Sequence, residues 1–316
     1  MYYKQVILML AAIAALASCE KAVVADDGAT EGDERLVTLR LGGEYGYATG
    51  EEPLTRAGDG GKTLYGVSIY YGPSGQNEAT SRYAYGLFDD PAKMQVVLNK
   101  AHDYRVECTV VKDGGDVVYS EDGTYFEPFL RSDDSEMELT NRFIKDYSTG
   151  FKTLASGLTA IDASTTVASP MTDRYYGTSD VFSAYYTTDV TVALRRAAYG
   201  IRLVVEPPLD GSVVVTLPRR TVIVSAGDAK HDSQAIYTFA DVASGSRDGY
   251  EQDVDLSLVW TRQSGTVVND TKTLTVKRNT LTTVTLDFSA SDYGHIAVSL
   301  EDTEMQTEND SWHVVN

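Results

Sequence analysis

The 316-residue chain reads as all-β, with two Greek-key β-sandwich domains behind an N-terminal leader. Three observations predict this. Short alternating or β-branched runs recur from Arg35 onward. Clusters of Gly, Pro, Asn and Asp stand between them as turn signals. Outside one segment, no apolar pattern keeps the 3.6-residue period of a helix.

The leader, residues 1–18, carries one basic residue, Lys4, then an apolar run from Val6 to Leu16 and a small-residue end, Ala17-Ser18. This is the layout of a secretory signal. The run is shorter than the roughly 17–25 residues that a membrane-spanning helix needs. Placed directly before Cys19, Leu16-Ala17-Ser18 resembles the bacterial lipoprotein box. That resemblance implies cleavage before Cys19, diacylglycerol on its thiol and an acyl chain such as palmitate on its freed amine. The mature protein would then sit on the cell outer membrane, surface-exposed and held by the lipid on Cys19.

Residues 19–34 contain Asp26, Asp27, Glu31, Asp33 and Glu34 with Gly28 and Gly32 and no periodic apolar face, which predicts an acidic flexible tether. An acidic start of this kind also resembles the surface-export signals of Bacteroidota lipoproteins.

The first domain is expected over 35–170. Its strands are read at Leu36 to Leu41, Tyr65 to Tyr71, Met94 to Leu98, Tyr104 to Val111 and Asp116 to Tyr119, with turns at Gly42-Gly43, Gly72-Pro73, Asn99-Lys100 and Asp113-Gly114-Gly115. From Asn141 to Ile161 the rhythm breaks. Phe143, Ile144, Tyr147, Phe151, Leu154 and Leu158 fall near helical spacing, but Gly150 and Gly157 weaken it, so a short helix or a packed crossover loop is expected.

The second domain is expected over 171–316, after Pro170 and the polar run 162–169. Its strands are read at Asp189 to Leu194, Ile201 to Val205, Ser212 to Leu217, Thr221 to Val224, Val254 to Trp260, Lys272 to Val276, Thr282 to Phe288 and His295 to Leu300. Lys272 to Val276 and Thr282 to Phe288, joined through Lys277-Arg278-Asn279, form the clearest hairpin candidate.

Four segments resemble the fimbrillin-like fimbrial subunit lipoproteins of the Bacteroidales: Pro170-Met-Thr-Asp-Arg-Tyr-Tyr-Gly-Thr178, Val190-Thr-Val-Ala-Leu-Arg-Arg-Ala-Ala-Tyr-Gly-Ile-Arg-Leu-Val204, Pro53-Leu-Thr-Arg-Ala57 and Val276-Lys-Arg-Asn-Thr280. The resemblance spans most of the mature chain through short motifs. It implies transthyretin-like sandwiches and a stalk, anchor or tip subunit of a cell-surface pilus. Its partners would be other fimbrial subunits joined by strand exchange, with a contribution to adhesion to host or bacterial surface glycans or proteins. In stalk subunits a protease cuts after an Arg and removes the first strand; Arg56, followed by Ala57, matches that position, and a plain surface-loop Arg is the competing reading. The donor strand would be C-terminal, with Trp312, Val314 and Val315 as its apolar residues; a disordered end or a last strand of the chain's own sheet competes.

Chemistry that would mark an enzyme is missing from the pattern. With 27 Lys plus Arg against 46 Asp plus Glu, the net charge is −19, and removal of the leader, which takes Lys4 and no acid, makes it −20. Such a surface repels nucleic acid. The four histidines occur singly, so no metal or other cofactor is expected. Paired acids at Asp133-Asp134 and Asp253/Asp255 are read as solvated surface, and Cys108 as a buried apolar cysteine. A non-enzymatic role follows. The 21 tyrosines, clustered at Tyr70-Tyr71, Tyr83/Tyr85, Tyr175-Tyr176 and Tyr185-Tyr186, are read mainly as packing, with one ring of each adjacent strand pair inward. They also carry the alternative function, a surface glycan-binding lipoprotein of a polysaccharide-utilisation system.

Overall fold

Alternation decides which strands are half-buried, and strands buried on both faces lose it. Both kinds occur here. A computed structural model of the chain describes residues 33–45, 63–112, 114, 124–125, 128–152, 154–155, 172–218, 220–288 and 297–305.

The first part contains β1 (Glu34–Gly43), β2 (Leu64–Pro73), β3 (Ser81–Phe88), β4 (Gln95–Asn99), β5 (His102–Val111), β6 (Thr124–Tyr125), β7 (Met137–Glu138), β8 (Ile144–Lys145), β9 (Arg174–Thr178), β10 (Phe182–Ser183) and β11 (Asp189–Arg196). One continuous path of pairing runs β4-β1-β11-β9-β5-β2-β3-β8, and β10 adds to β5. Strand β11 turns the corner: residues 189–194 pair with β1, whereas Arg195 and Arg196 pair with β9. The path thereby folds over one core, in which Val37, Leu39, Val96, Val192 and Leu194 meet Val67, Ile69, Val106, Cys108 and Tyr175.

The opposite face of β2, β3 and β5 is covered as well. Phe129, Met137, Phe151 and Leu154 cover Leu64, Tyr85, Leu87 and Val111. Gly66 lets them in, because a Cβ there would lie 2.8 Å from the Phe129 ring. This cover is an irregular segment crossed by the short β8 and by the Arg131–Phe151 bridge, so the packed-loop reading of 141–161 holds for its described part and the helix reading does not. The apolar spacing there belongs to a loop that wets one side and buries the other.

The second part contains β12 (Ala198–Val205), β13 (Ser212–Leu217), β14 (Arg220–Ser225), β15 (His231–Thr238), the one-turn helix α1 (Val242–Gly245), β16 (Glu251–Thr261), β17 (Val267–Lys277), β18 (Thr280–Asp287) and β19 (Ala297–Glu304). Two four-stranded sheets, β15-β12-β18-β19 and β14-β13-β16-β17, face each other across a core centred on Trp260 and Phe288. Their edge-to-face rings are 5.5 Å apart, and the Trp260 indole N–H donates to the Asp210 carbonyl at 2.9 Å. The all-β sandwich class is therefore what the chain adopts.

Two expectations need correction. The change of sheet does not fall at 170/171: β9, β10 and β11 all belong to the first path, and the second begins at Ala198, with only Ala197 between it and the end of β11. The leucine and valines of β11 fill the first core, so its alternation is satisfied there. Nor do 272–276 and 282–288 form a hairpin. Strand β17 pairs with β16, while β18 pairs with β12 in parallel and with β19, so Arg278-Asn279 carries the chain from one sheet to the other. Asn279, at φ 55, supplies the left-handed corner. The expected strand at Asp116 to Tyr119 lies outside the described residues.

Truncating Trp260 to Ala removes a fully buried indole and its hydrogen bond and should cost about 3–5 kcal/mol. Urea unfolding monitored by circular dichroism checks this; a loss below about 1 kcal/mol would contradict the packing described.

Candidate functional site

Cys19, Arg56, Ala57, Trp312, Val314 and Val315 all lie outside the described residues. What the structure places are the strands beside them, β1 upstream of Arg56 and β19 upstream of the C-terminal run.

Strand β1 is an internal strand. Its first half pairs antiparallel with β4, from Glu34↔Asn99 to Thr38↔Gln95, and its second half pairs parallel with β11, from Thr38↔Asp189 to Gly43↔Leu194. It thus links two strands that pair with successive halves of it and share only the position of Thr38. Val37 and Leu39 point into the core and are 0% and 4% exposed. Outside, Arg40 forks onto Asp189 at 2.9 and 2.7 Å. That pair is too exposed to matter much energetically.

Past β1 the chain bends at Gly43, at φ 74, where a Cβ would sit 2.5 Å from the Leu194 carbonyl oxygen. Only glycine satisfies both conditions. The bend delivers Glu44 to the join between the two parts. Arg278 Nη1 donates to both Glu44 oxygens, at 2.9 and 2.7 Å, and the Arg196 backbone N–H donates to Oε2 at 3.0 Å. Arg196 itself is buried, its Nε and Nη2 forked onto Asp173 at 2.7 and 2.8 Å and its Nη1 on Asn279 at 3.2 Å. Burial alone would depress the Arg196 guanidinium, but the Asp173 carboxylate outweighs it and holds the group above its usual value. Asp248 accepts from both Arg195 and Arg278, at 2.8 and 3.0 Å. Nothing in the spacing of Glu44 marks it as a junction residue; its partner lies 234 positions away.

Among the described residues, β17 and β19 are the last strands of their sheets on one side of the second sandwich. There the edges of β17 and β19 border a shallow groove lined by Leu274, Thr282, Leu300 and Asp302. Leu300 is 49% exposed, although its cross-strand partner, Val284, is fully buried. Lys277 and Thr282 both hold Asp302, at 2.7 and 2.9 Å.

The tyrosine clusters divide. Tyr71 and Tyr175 face the first core, while Tyr70 and Tyr176 face outward and donate to the two oxygens of the buried Glu107, each at 2.8 Å. Tyr83 and Tyr85 would share a face on a regular strand, yet they enter different cores. A register shift in the β2–β3 pairing opposite Ile69/Tyr70 causes this. Tyr185 and Tyr186 lie in a turn, and both are exposed, so the inward-outward rule fails for that pair. Their rings cross at 69° and offer no coplanar platform. Tyr186 borders an open depression with Ser74, Asn77, Asp103 and Ser183.

Cys108 is fully buried and burial pushes its thiol far up, the state of an inert core cysteine. Asp253 and Asp255 lie on one face of β16 and accept from Thr275 and Thr273 on β17. Asp133 caps Ser135, and Asp134 pairs with Lys152. Among the described residues no group of His, Cys, Asp and Glu could hold a metal ion, and no helix is long and apolar enough to cross a membrane.

No family model matches the chain, and no curated protein does. Among solved structures it is similar to the fimbrial anchor protein Mfa2 from Porphyromonas gingivalis, at 12% identity over 86% of this chain and 98% of that one, with a TM-score of 0.38. It is also similar to a "putative cell adhesion protein" from Bacteroides eggerthii, at 12% identity over 87% and 97%, with a TM-score of 0.38. A third likeness is to "putative polysaccharide binding proteins" from Bacteroides thetaiotaomicron, at 10% identity over 86% and 99%, with a TM-score of 0.39.

The buried phenols set an alkaline limit. Burial first, and then the Glu107 carboxylate, push Tyr70 from 10.0 up to about 12, and burial likewise raises Tyr45, Tyr104, Tyr175 and Tyr199. A pKa raised on folding contributes stability that is whole below the unfolded value and is lost as pH rises through the folded one. The melting temperature should therefore hold to about pH 10 and fall between pH 10 and 12. Thermal scans across that range, with tyrosinate absorbance as the monitor, test it; a flat profile to pH 12 would contradict the burial.

Proposed function

We propose that this chain is a cell-surface fimbrial subunit, delivered as a lipoprotein through Cys19, joined to its neighbours by strand exchange and contributing to adhesion. The observation that carries the reading is the position of β1. A strand from near the start of the chain fills an internal slot between β4 and β11, and the sequence that matches a processing step, Pro53 to Ala57, follows it. Cleavage after Arg56 would free β1 to leave, opening a slot over Val96, Val192 and Leu194 that an extended segment of another subunit could fill. The C-terminal run through Trp312, Val314 and Val315 is the proposed donor. The half-exposed Leu300, beside β17 and β19 edges that have no further strand among the described residues, supports a C-terminal region suited to further strand contacts.

The proposed division is a leader at 1–18, a tether at 19–34 and two sandwiches. If Cys19 keeps its lipid, the subunit is an anchor at the outer membrane; if the segment through Arg56 is removed, it is a building block. The glycan-binding alternative loses ground, because its clearest exposed aromatic pair is crossed rather than coplanar.

Mass spectrometry and N-terminal sequencing of the protein from cell surfaces test both forms. An acylated Cys19 or a start at Ala57 is expected, and Cys19→Ala should shift the protein out of the membrane fraction. An unprocessed, unlipidated chain in the cytoplasm would overturn the proposal.

A further inference from the structure

Whatever strand fills the β1 slot must satisfy two kinds of contact. One kind is generic. Main-chain pairing with β4 and β11, and apolar side chains at the places of Val37 and Leu39, would accept any extended segment of suitable alternation. The other is particular. At the end of the slot, the Arg278 guanidinium and the Arg196 backbone N–H converge on one carboxylate, that of Glu44.

These donors are held in place. Arg278 belongs to the corner between β17 and β18, its side chain is 12% exposed, and its Nη2 is fixed on Asp248. Arg196 ends β11, and its side chain is locked on Asp173 and Asn279. Neither can turn to follow a departing strand. We propose that Arg278 and the Arg196 N–H form an anion socket that selects and registers the strand in the β1 slot, so that an exchanging strand from another subunit carries an acidic side chain at the place of Glu44.

The inference rests on the strand-exchange reading. Its physical basis is asymmetry: leaving a part-buried donor without its acceptor costs more than the made bond contributes. A neutral side chain at this place removes the ion pair with Arg278, which keeps Asp248 and, at 3.4 Å, the Arg196 carbonyl, and an apolar one also leaves the Arg196 N–H without its acceptor, so the misfit rejects the wrong strand more than the fit rewards the right one. A strand shifted by one residue would turn its apolar set outward and carry its acid away from the socket, so both contacts enforce one register.

The test uses the full chain with a recognition site for a sequence-specific protease placed after Arg56, cut in the folded state. Fluorescent peptides of residues 33–45, with Glu44 or with Glu44→Gln, are then offered, and exchange is followed by anisotropy. The Glu peptide should bind about tenfold tighter, roughly one charge-assisted hydrogen bond. That preference should vanish in the cut Arg278→Met protein. Equal binding of both peptides to the cut protein with Arg278 intact would overturn the socket while leaving strand exchange standing. Entry of neither peptide would count against exchange itself. In that case a double-mutant cycle of Glu44→Gln and Arg278→Met in the uncut chain judges the socket, and additive effects on unfolding would overturn it.

Discussion

The buried pair of Arg196 and Asp173 is the contact on which the rest of the arrangement depends. Arg196 is the last residue of the first sheet path, and Ala198 the first of the second sandwich. A guanidinium that is 1% exposed demands a full set of acceptors. Asp173 supplies two, from just before β9, and Asn279 supplies one, from the corner between β17 and β18. Satisfying one cation thus ties three distant stretches of chain. Arg278, next along that corner, then reaches back to Glu44 and Asp248. Backbone bonds from Phe239 to Ala197 and from Asn279 to Ala198 flank the same point. A buried pair of this kind adds little net stability against an apolar replacement, but removal of either partner strands the other. Its effect is to fix one geometry for the join.

A second constraint acts on β2 and β5. Both faces of these strands are buried at one end, so two cores share one sheet. Small or polar residues mark where the outer cover stops. Gly66 admits Phe129 and Leu154; two residues on, the same face carries Ser68, Tyr70, Glu107 and Tyr176, a polar cluster whose carboxylate is satisfied by two phenols. The Arg105 guanidinium lies 4.6 Å over the Tyr70 ring and completes that patch.

How much of this the sequence discloses follows from the kind of strand. Half-buried strands are legible: Asp189–Arg196 alternates buried and exposed at every residue, and the runs at 212–217 and 254–260 are equally plain. Strand β3 is not, because its register shift puts Tyr83 and Tyr85 on opposite faces and destroys the period of two. Strand β15 is missed because its first half, His231-Asp-Ser-Gln234, is the polar start of a sheet edge. The hairpin expected through Lys277-Arg278-Asn279 fails for a related reason: local signals cannot say which sheet a strand joins. The pairings of the junction residues were invisible, since they are set by tertiary contact alone, and Glu44 and Asp248 lie in no stretch that stands out. Asp173, Arg195, Arg196, Arg278 and Asn279, by contrast, lie within the stretches that carry the family resemblance.

The parallel pairing of β1 with β11 has a mechanical meaning. Suppose a load is applied between the N-terminus of β1 and the second sandwich, which leaves β11 at its C-terminal end. The two strands then slide in opposite directions along their length, and the ladder from Thr38↔Asp189 to Gly43↔Leu194 is stressed in shear, its rungs sharing the load at once. An antiparallel partner in that place would instead be peeled open one rung at a time. The geometry makes this end of the molecule a lap joint, strongest along the direction of its two parallel strands.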